Sequence, residues 1–328
     1  MTSLDMPTST SSPRGQSSSA DSIFDTGPPA ETTTPAPTAL RRLKASALGK
    51  VSAFMLPLIQ RAARSHVGGE TIDDALCVAR RLADEKTPST IGFWDTADYS
   101  GRQVADIYLT AIEQLAASGL DSYVSIKPPA LRFDSGLAAE LAAAAQASRI
   151  RLHCDSHGPE VADPSHAMEQ TMLEHLGAGS LSTTLPGRWS RSLSDADWAI
   201  ERGLSVRVVK GQWPDPTDPK RDMRAGYLEV IDRLAGRVRH VGVASHDLSL
   251  AAEAIARLRA AGTSCELELL FGRPMAQSLR WARDNAVGVR IYVPFGKGYI
   301  PSAIGLLKHN PRLALRIISN IVTETVER

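Results

Sequence analysis

The amino-acid sequence predicts a (β/α)₈ barrel of the TIM type, an α/β fold, and three observations predict it. Eight short apolar runs occur in order, at 90–94, 122–127, 150–155, 181–185, 205–210, 240–245, 265–270 and 287–294. Amphipathic helical patterns sit between them, such as 104–115, 195–201, 248–258 and 276–284. This alternation implies parallel strands joined by helical crossovers, and eight units in about 240 residues match a barrel in count and size. The turn after the first run reads Asp95-Thr96-Ala97-Asp98, without the glycines that often open a doubly wound sheet.

The chain divides into three stretches. Residues 1–42 are rich in Ser, Thr and Pro and bury too little apolar surface to offset chain entropy, so they read as a disordered tail. The tail lacks the basic and apolar regions of a secretory signal. Residues 43–88 form an N-terminal helical segment. Val51, Met55, Leu58 and Ile59 are spaced as on one helix, and Thr71 is placed to cap a second that carries Ile72, Leu76, Val78 and Leu82. Residues 89–328 hold the barrel.

Bulk composition narrows the function classes. A net charge of +1 over 328 residues argues against a nucleic-acid binder, which needs a basic face to displace counterions. Cys77, Cys154 and Cys265 are far apart and in no CxxC pattern, so neither a metal site nor a disulfide framework is expected. A reducing, cytoplasmic setting fits that usage. No apolar run approaches the roughly 20 residues of a transmembrane helix.

In such barrels the active site lies at the C-terminal ends of the strands, so polar residues there are the informative ones. The second strand ends at Lys127 and the third at Asp155, followed by Ser156 and His157. The fifth carries Arg207 and ends at Lys210-Gly211; the sixth ends at Ser245-His246-Asp247. The seventh carries Glu266 and Glu268, and the eighth Tyr292. Each also has a plain structural reading. Lys127 can be a solvated boundary residue and Asp155 a turn former. Arg207 alternates with valines and could face outward, and Glu266 and Glu268, on one side of their strand, could form a salt-bridged barrel layer. Together, Lys127, Arg207, Lys210 and His246 place cations or donors around one opening. Gly211 and the segment Gly296-Lys297-Gly298 offer close backbone approach. Such a mouth suits a phosphate or carboxylate.

Six of these segments, in order, resemble the flavin-dependent proline dehydrogenases. Val206-Arg207-Val208-Val209-Lys210-Gly211 is similar to the family's V-R-L-V-K-G, and Arg290 to Gly296 to its R-x-Y-x-P-x-G. Ser125-Ile126-Lys127 and Cys154-Asp155 resemble its lysine and aspartate strands. Ala244-Ser245-His246-Asp247 resembles A-T-H-N, and Glu266 to Gly272 resembles E-F-Q-x-L-x-G. The resemblance implies FAD as cofactor and hydride transfer from proline, or a related cyclic amino acid, to flavin N5. The product would be pyrroline-5-carboxylate. Electrons would then pass to a quinone or other acceptor, which allows a peripheral membrane contact. Arg207 would lie against the flavin ring. Lys210, Gly211, Ser245, His246 and Glu268 would complete the cofactor site. Lys127 would meet the substrate carboxylate, Asp155 would orient Lys127, and Tyr292 would shape the pocket.

The chain also departs from the family pattern. Gly305-Leu306 stand where an arginine pair would clamp the carboxylate, Ser302 where a tyrosine is expected, and Pro186-Gly187-Arg188 where Q-A-Y helps bind flavin. Charge-assisted hydrogen bonds contribute roughly 1.5–3 kcal/mol each, so losing two would weaken binding by about 10²–10⁴-fold. Arg188 and Lys297 are candidate replacements. Two other readings stay open: a barrel lyase using Lys127 as a Schiff-base nucleophile, and a non-catalytic relative of the family.

Overall fold

The computed structural model describes residues 68–298, and within them eight parallel strands close into a barrel in the order β1 to β8. They are β1 (Ser89–Phe93), β2 (Ser122–Ile126), β3 (Leu152–Cys154), β4 (Leu181–Pro186), β5 (Ser205–Val209), β6 (His240–Ala244), β7 (Ser264–Leu270) and β8 (Gly288–Phe295). The helices are α1 (Ile72–Asp84), α2 (Gly101–Ser118), α3 (Ser135–Ser148), α4 (Ala162–Leu173), α5 (Ser192–Glu201), α6 (Met223–Leu234), α7 (Leu248–Ala260) and α8 (Ala276–Asp284). All eight expected strands are present, and β8 pairs with β1 through Thr90 and Tyr292 to close the ring. The expectations for 1–42, for the helix ahead of Thr71, and for Ser302, Gly305 and Leu306 concern residues outside those described. Among the described residues no helix is long and apolar enough to cross a membrane, and no group of three His, Cys, Asp or Glu side chains could hold a metal.

Local chemistry explains where elements start and stop. Thr71 caps α1 in a capping box with Asp74, as the sequence predicts. Ser100 and Gln103 do the same for α2, which Gly119 ends at φ 66°. Asp134, Asp222 and Asp247 cap α3, α6 and α7 by accepting from backbone N–H groups. Each cap contributes about 1 kcal/mol.

The strands sort their side chains by period two. One face sends Ile91, Val124, Leu152, Val206, Val208, Val243, Leu267 and Val293 outward beneath the helices, where all are buried. Burying each such side chain contributes roughly 1.5–3 kcal/mol. The other face points into the barrel and is unusually polar. Arg207, Glu268, Arg290 and His153 are all under 6% exposed there. Arg207 thus faces the interior while its valine neighbours face the helices. Glu266 and Glu268 occupy successive salt-bridged layers: Glu266 binds Arg290 at 2.7 Å near the N-terminal end, and Glu268 binds Arg207 at 2.7 Å nearer the C-terminal mouth. Two glycines make room for this interior. A Cβ on Gly242 would collide with the Glu268 carboxylate, and one on Gly92 with the Tyr292 hydroxyl.

Candidate active site at the strand ends

Arg207 is the hub of the mouth. From β5 its Nε donates to Glu268 Oε2 at 2.7 Å, one Nη donates to Asp155 Oδ1 at 2.8 Å, and the other to the Tyr123 hydroxyl at 3.3 Å. Its guanidinium also lies over the Tyr292 ring, 5.3 Å from the centroid. Burial works against its charge, but Glu268 and Asp155 outweigh burial and keep it cationic. The site therefore holds a fixed positive charge, restrained on three sides.

Asp155, just past the end of β3, joins two strands to that hub. Its second oxygen accepts from the Tyr292 hydroxyl at 2.9 Å. Burial and the Asp155 carboxylate hold the Tyr292 phenol well above its ordinary pKa, so it stays a donor. Asp155, Arg207 and Tyr292 are thus brought together, from β3, β5 and β8.

Lys127 stands beside this group with a different partner. Its ammonium meets Asp95 at 3.5 Å and lies over the Trp94 ring at 5.2 Å. Burial lowers its pKa, and Asp95 and then Asp155 oppose that. The carboxylate that positions Lys127 is therefore Asp95, on the loop after β1. Asp155 acts on it only as a nearby charge.

The remaining expected residues form the β5–β7 side of the rim. Lys210 pairs with Asp247 at 3.1 Å and is part-exposed. Ser245 is buried and accepts from the Asp247 N–H at 3.1 Å. His246 Nε2 accepts from the Leu270 N–H at 3.0 Å. Burial and then Arg273 lower its pKa, so His246 is a neutral donor through Nδ1, not a cation. Glu268 reaches this side only through Arg207. Gly211 takes φ +90°, and a Cβ there would press on Pro186 and Arg188.

These residues fit a phosphorylated, planar cofactor. Nδ1 of His246 is buried without a hydrogen bond of normal geometry. Gly211 takes a positive φ that glycine alone holds without strain, and Lys210 supplies a cation beside it. Asp247, which binds Lys210, is the one feature against an anion, and its carboxylate is already used as the cap of α7.

Sequence reasoning missed Tyr123, His153, Asp95 and Trp94. The first two were legible: Tyr123 and His153 precede Ser125 and Asp155 by two residues, so strand periodicity puts them on the same inward face. Asp95 and Trp94 lie in a turn, which gives no such signal.

Fold and site together define a (β/α)₈ barrel whose C-terminal mouth is built on a buried arginine hydrogen-bonded to carboxylates and tyrosines. No family model matches the chain. In sequence it is similar to proline dehydrogenase 1 of Bacillus subtilis subsp. natto, with 24% identity over 279 residues, covering 79% of this chain and 90% of that protein. The proline dehydrogenase of Deinococcus radiodurans is 22% identical with the same coverage. Among solved structures, proline utilization A of Bdellovibrio bacteriovorus superposes with a TM-score of 0.65 at 18% identity, over 76% of this chain and 33% of that one. A variant of the Bradyrhizobium japonicum protein gives 0.62 at 20% identity, over 86% and 34%. The chain spans about a third of those solved chains, which share its barrel. The family it resembles is that of the proline dehydrogenases.

Proposed function

We propose that this chain is an FAD-dependent dehydrogenase, with residues 89–328 as its flavin-binding barrel, that oxidises proline or a related cyclic amino acid to the pyrroline carboxylate. The observation that carries this reading is the convergence of Arg207, Asp155 and Tyr292 from three strands into one hydrogen-bonded group beside Lys127. These four residues are the ones the family resemblance assigns to the substrate and the flavin ring.

Arg207, Lys210, Gly211, Ser245 and His246 would hold the cofactor, with Glu268 fixing Arg207. A bound flavin supplies the hydride acceptor. Arg207 presents a fixed cation where negative charge develops, in a site shielded from water. Lys127 binds the substrate carboxylate, and Asp95 holds the ammonium charged for that purpose. Asp155 and Tyr292 fix the wall of the pocket and keep Arg207 aimed at the mouth. On this reading electrons leave to a quinone or another acceptor. The protein works in the cytoplasm, with contact at a membrane surface at most.

The test is steady-state oxidation of proline by the FAD-loaded protein with an artificial electron acceptor, trapping the pyrroline product. Turnover supports the assignment; full flavin loading without turnover on any cyclic amino acid removes it. The lowered pKa of Lys127 favours one other reading, a Schiff-base lyase. Borohydride trapping of a carbonyl substrate on Lys127 would select it.

A further inference from the structure

His153 lies on β3 two residues before Asp155, 1% exposed, and both its ring nitrogens are engaged by β4. Nδ1 is 2.7 Å from Ser182 Oγ and Nε2 is 2.6 Å from Thr184 Oγ1. Nε2 also stands 3.7 Å from Asp155 Oδ1, the same oxygen that accepts from Arg207. Which ring nitrogen carries the proton therefore decides whether the imidazole competes with Arg207 for that oxygen.

The hydroxyl partners bear on the choice. Ser182 Oγ also has the Leu152 carbonyl, which can only accept, at 3.4 Å. A Ser182 proton directed to that carbonyl makes Oγ an acceptor toward the ring, which puts the imidazole proton on Nδ1. Nε2 is left bare and accepts from Thr184. A second proton is disfavoured, because burial and then Arg207 push the ring's pKa well below its ordinary value. Nε2, occupied by Thr184, then has no proton to offer the Asp155 carboxylate, and two acceptors cannot bond. Asp155 is left to Arg207 and Tyr292.

We infer that His153 is a positioning residue whose tautomer, selected by the Ser182 and Thr184 hydroxyls, keeps Asp155 committed to Arg207 and Tyr292. With the proton on Nε2 and no hydroxyl at position 184 to accept it, the ring would instead donate to Asp155 Oδ1 and draw it off the guanidinium. A small cavity of about 30 Å³ at the N-terminal end of the barrel is lined by His153, Ser182 and Arg207. The kinetic part of this inference rests on the dehydrogenase reading; the tautomer does not.

The test uses two near-isosteric variants of the full chain. Thr184→Val removes the donor to Nε2, and Thr184→Ser keeps it. Nitrogen shifts of the His153 ring should report Nδ1–H in the wild type and in Thr184→Ser, and Nε2–H in Thr184→Val. With the flavin-loaded protein, Thr184→Val should lower kcat roughly tenfold, as expected when one charge-assisted bond is diverted, with KM nearly unchanged; Thr184→Ser should restore kcat. A wild-type Nε2–H tautomer overturns the inference. So does a Thr184→Val protein that keeps its proton on Nδ1, or one that changes tautomer without losing kcat. If the wild type oxidises no cyclic amino acid, the dehydrogenase reading fails by itself. The Asp155 carboxyl carbon shift then decides the inference: it should move in Thr184→Val, and a stationary signal rejects it.

Discussion

At the residue scale, the account turns on buried charges that are fully committed to one another. Arg207 binds two carboxylates, so Arg207→Met leaves the buried Glu268 with only the Tyr123 hydroxyl and the partly buried Asp155 with only Tyr292 as hydrogen-bond donors among their side-chain partners. Breaking such a group costs roughly 3–5 kcal/mol. Urea denaturation should show that loss. Adding Asp155→Asn and Glu268→Gln should recover much of the stability while proline turnover stays absent; a fully stable Arg207→Met single variant would remove Arg207 from its hub. A second buried acid makes a pH-dependent prediction. Glu169, on α4, is 2% exposed and accepts from Thr183 at 3.0 Å, and its other oxygen lacks a partner. Burial raises its pKa to about 8 from 4.5, with Thr183 opposing. The folded state therefore holds a proton that the unfolded chain has released. That advantage is full below about pH 4.5, and it is lost as pH rises through about 8. Glu169→Gln removes the slope. The melting temperature of the variant relative to wild type should climb between those limits and level off above; a constant difference would mean that Glu169 is ionised throughout. Not all of this was legible. Lys127 and Asp155 stand just past strand ends, where barrel geometry concentrates function, and Arg207 and Tyr292 lie on the inward faces of β5 and β8. The pairing of Lys127 with Asp95 was not, because a turn residue carries no periodic signal. Nor was the neutral state of His246, which follows from burial that only the folded chain creates.

At the element scale, strands were easier to read than their limits. The run 150–155 contracts to Leu152–Cys154 because α3 ends on Arg149 at φ 56° and the Ile150 N–H returns to the Ala145 carbonyl. Hydrophobicity cannot show that a helix cap has consumed the first two residues of a strand. The helix α3 itself is rich in alanine, which suits both buried and exposed faces and so blurs the period. The loops above the barrel carry a further device. Asp215, 2% exposed, accepts from the Ser190 backbone and hydroxyl and from Thr217 and Asp218, while the Trp189 indole donates to the Trp213 carbonyl. These bonds tie the loop after β5, which carries Gly211, to the loop after β4. Burial alone would raise the Asp215 pKa, but these hydrogen bonds outweigh it and hold the carboxyl well below its usual range. Asp215→Ala should cost roughly 1–3 kcal/mol and open residues 212–222 to limited proteolysis, with weaker flavin retention. Unchanged cleavage and retention would show that the two loops hold without the latch.

At the scale of the whole molecule, the barrel and the resemblance support each other, and the substrate is the most exposed part of the reading. The sequence places Gly305 and Leu306, outside the described residues, where the family has its arginine pair. Proline is small, and its carboxylate is much of its binding handle. Free proline should therefore show a high KM, and Gly305→Arg with Leu306→Arg should raise kcat/KM for proline; wild-type efficiency equal to that of ordinary family members would point to another cation at the rim, with Arg188 first in line. The central claim is that the charged mouth of this barrel holds a flavin that a cyclic amino acid reduces. Its most direct measurement is the visible spectrum of the FAD-loaded protein under anaerobic titration with proline and its ring analogues. The account predicts retained yellow colour that bleaches on substrate addition in the wild type and fails to bleach in Arg207→Met. A protein that takes up no flavin under any loading condition, or whose bound flavin stays oxidised with every cyclic amino acid, would contradict it.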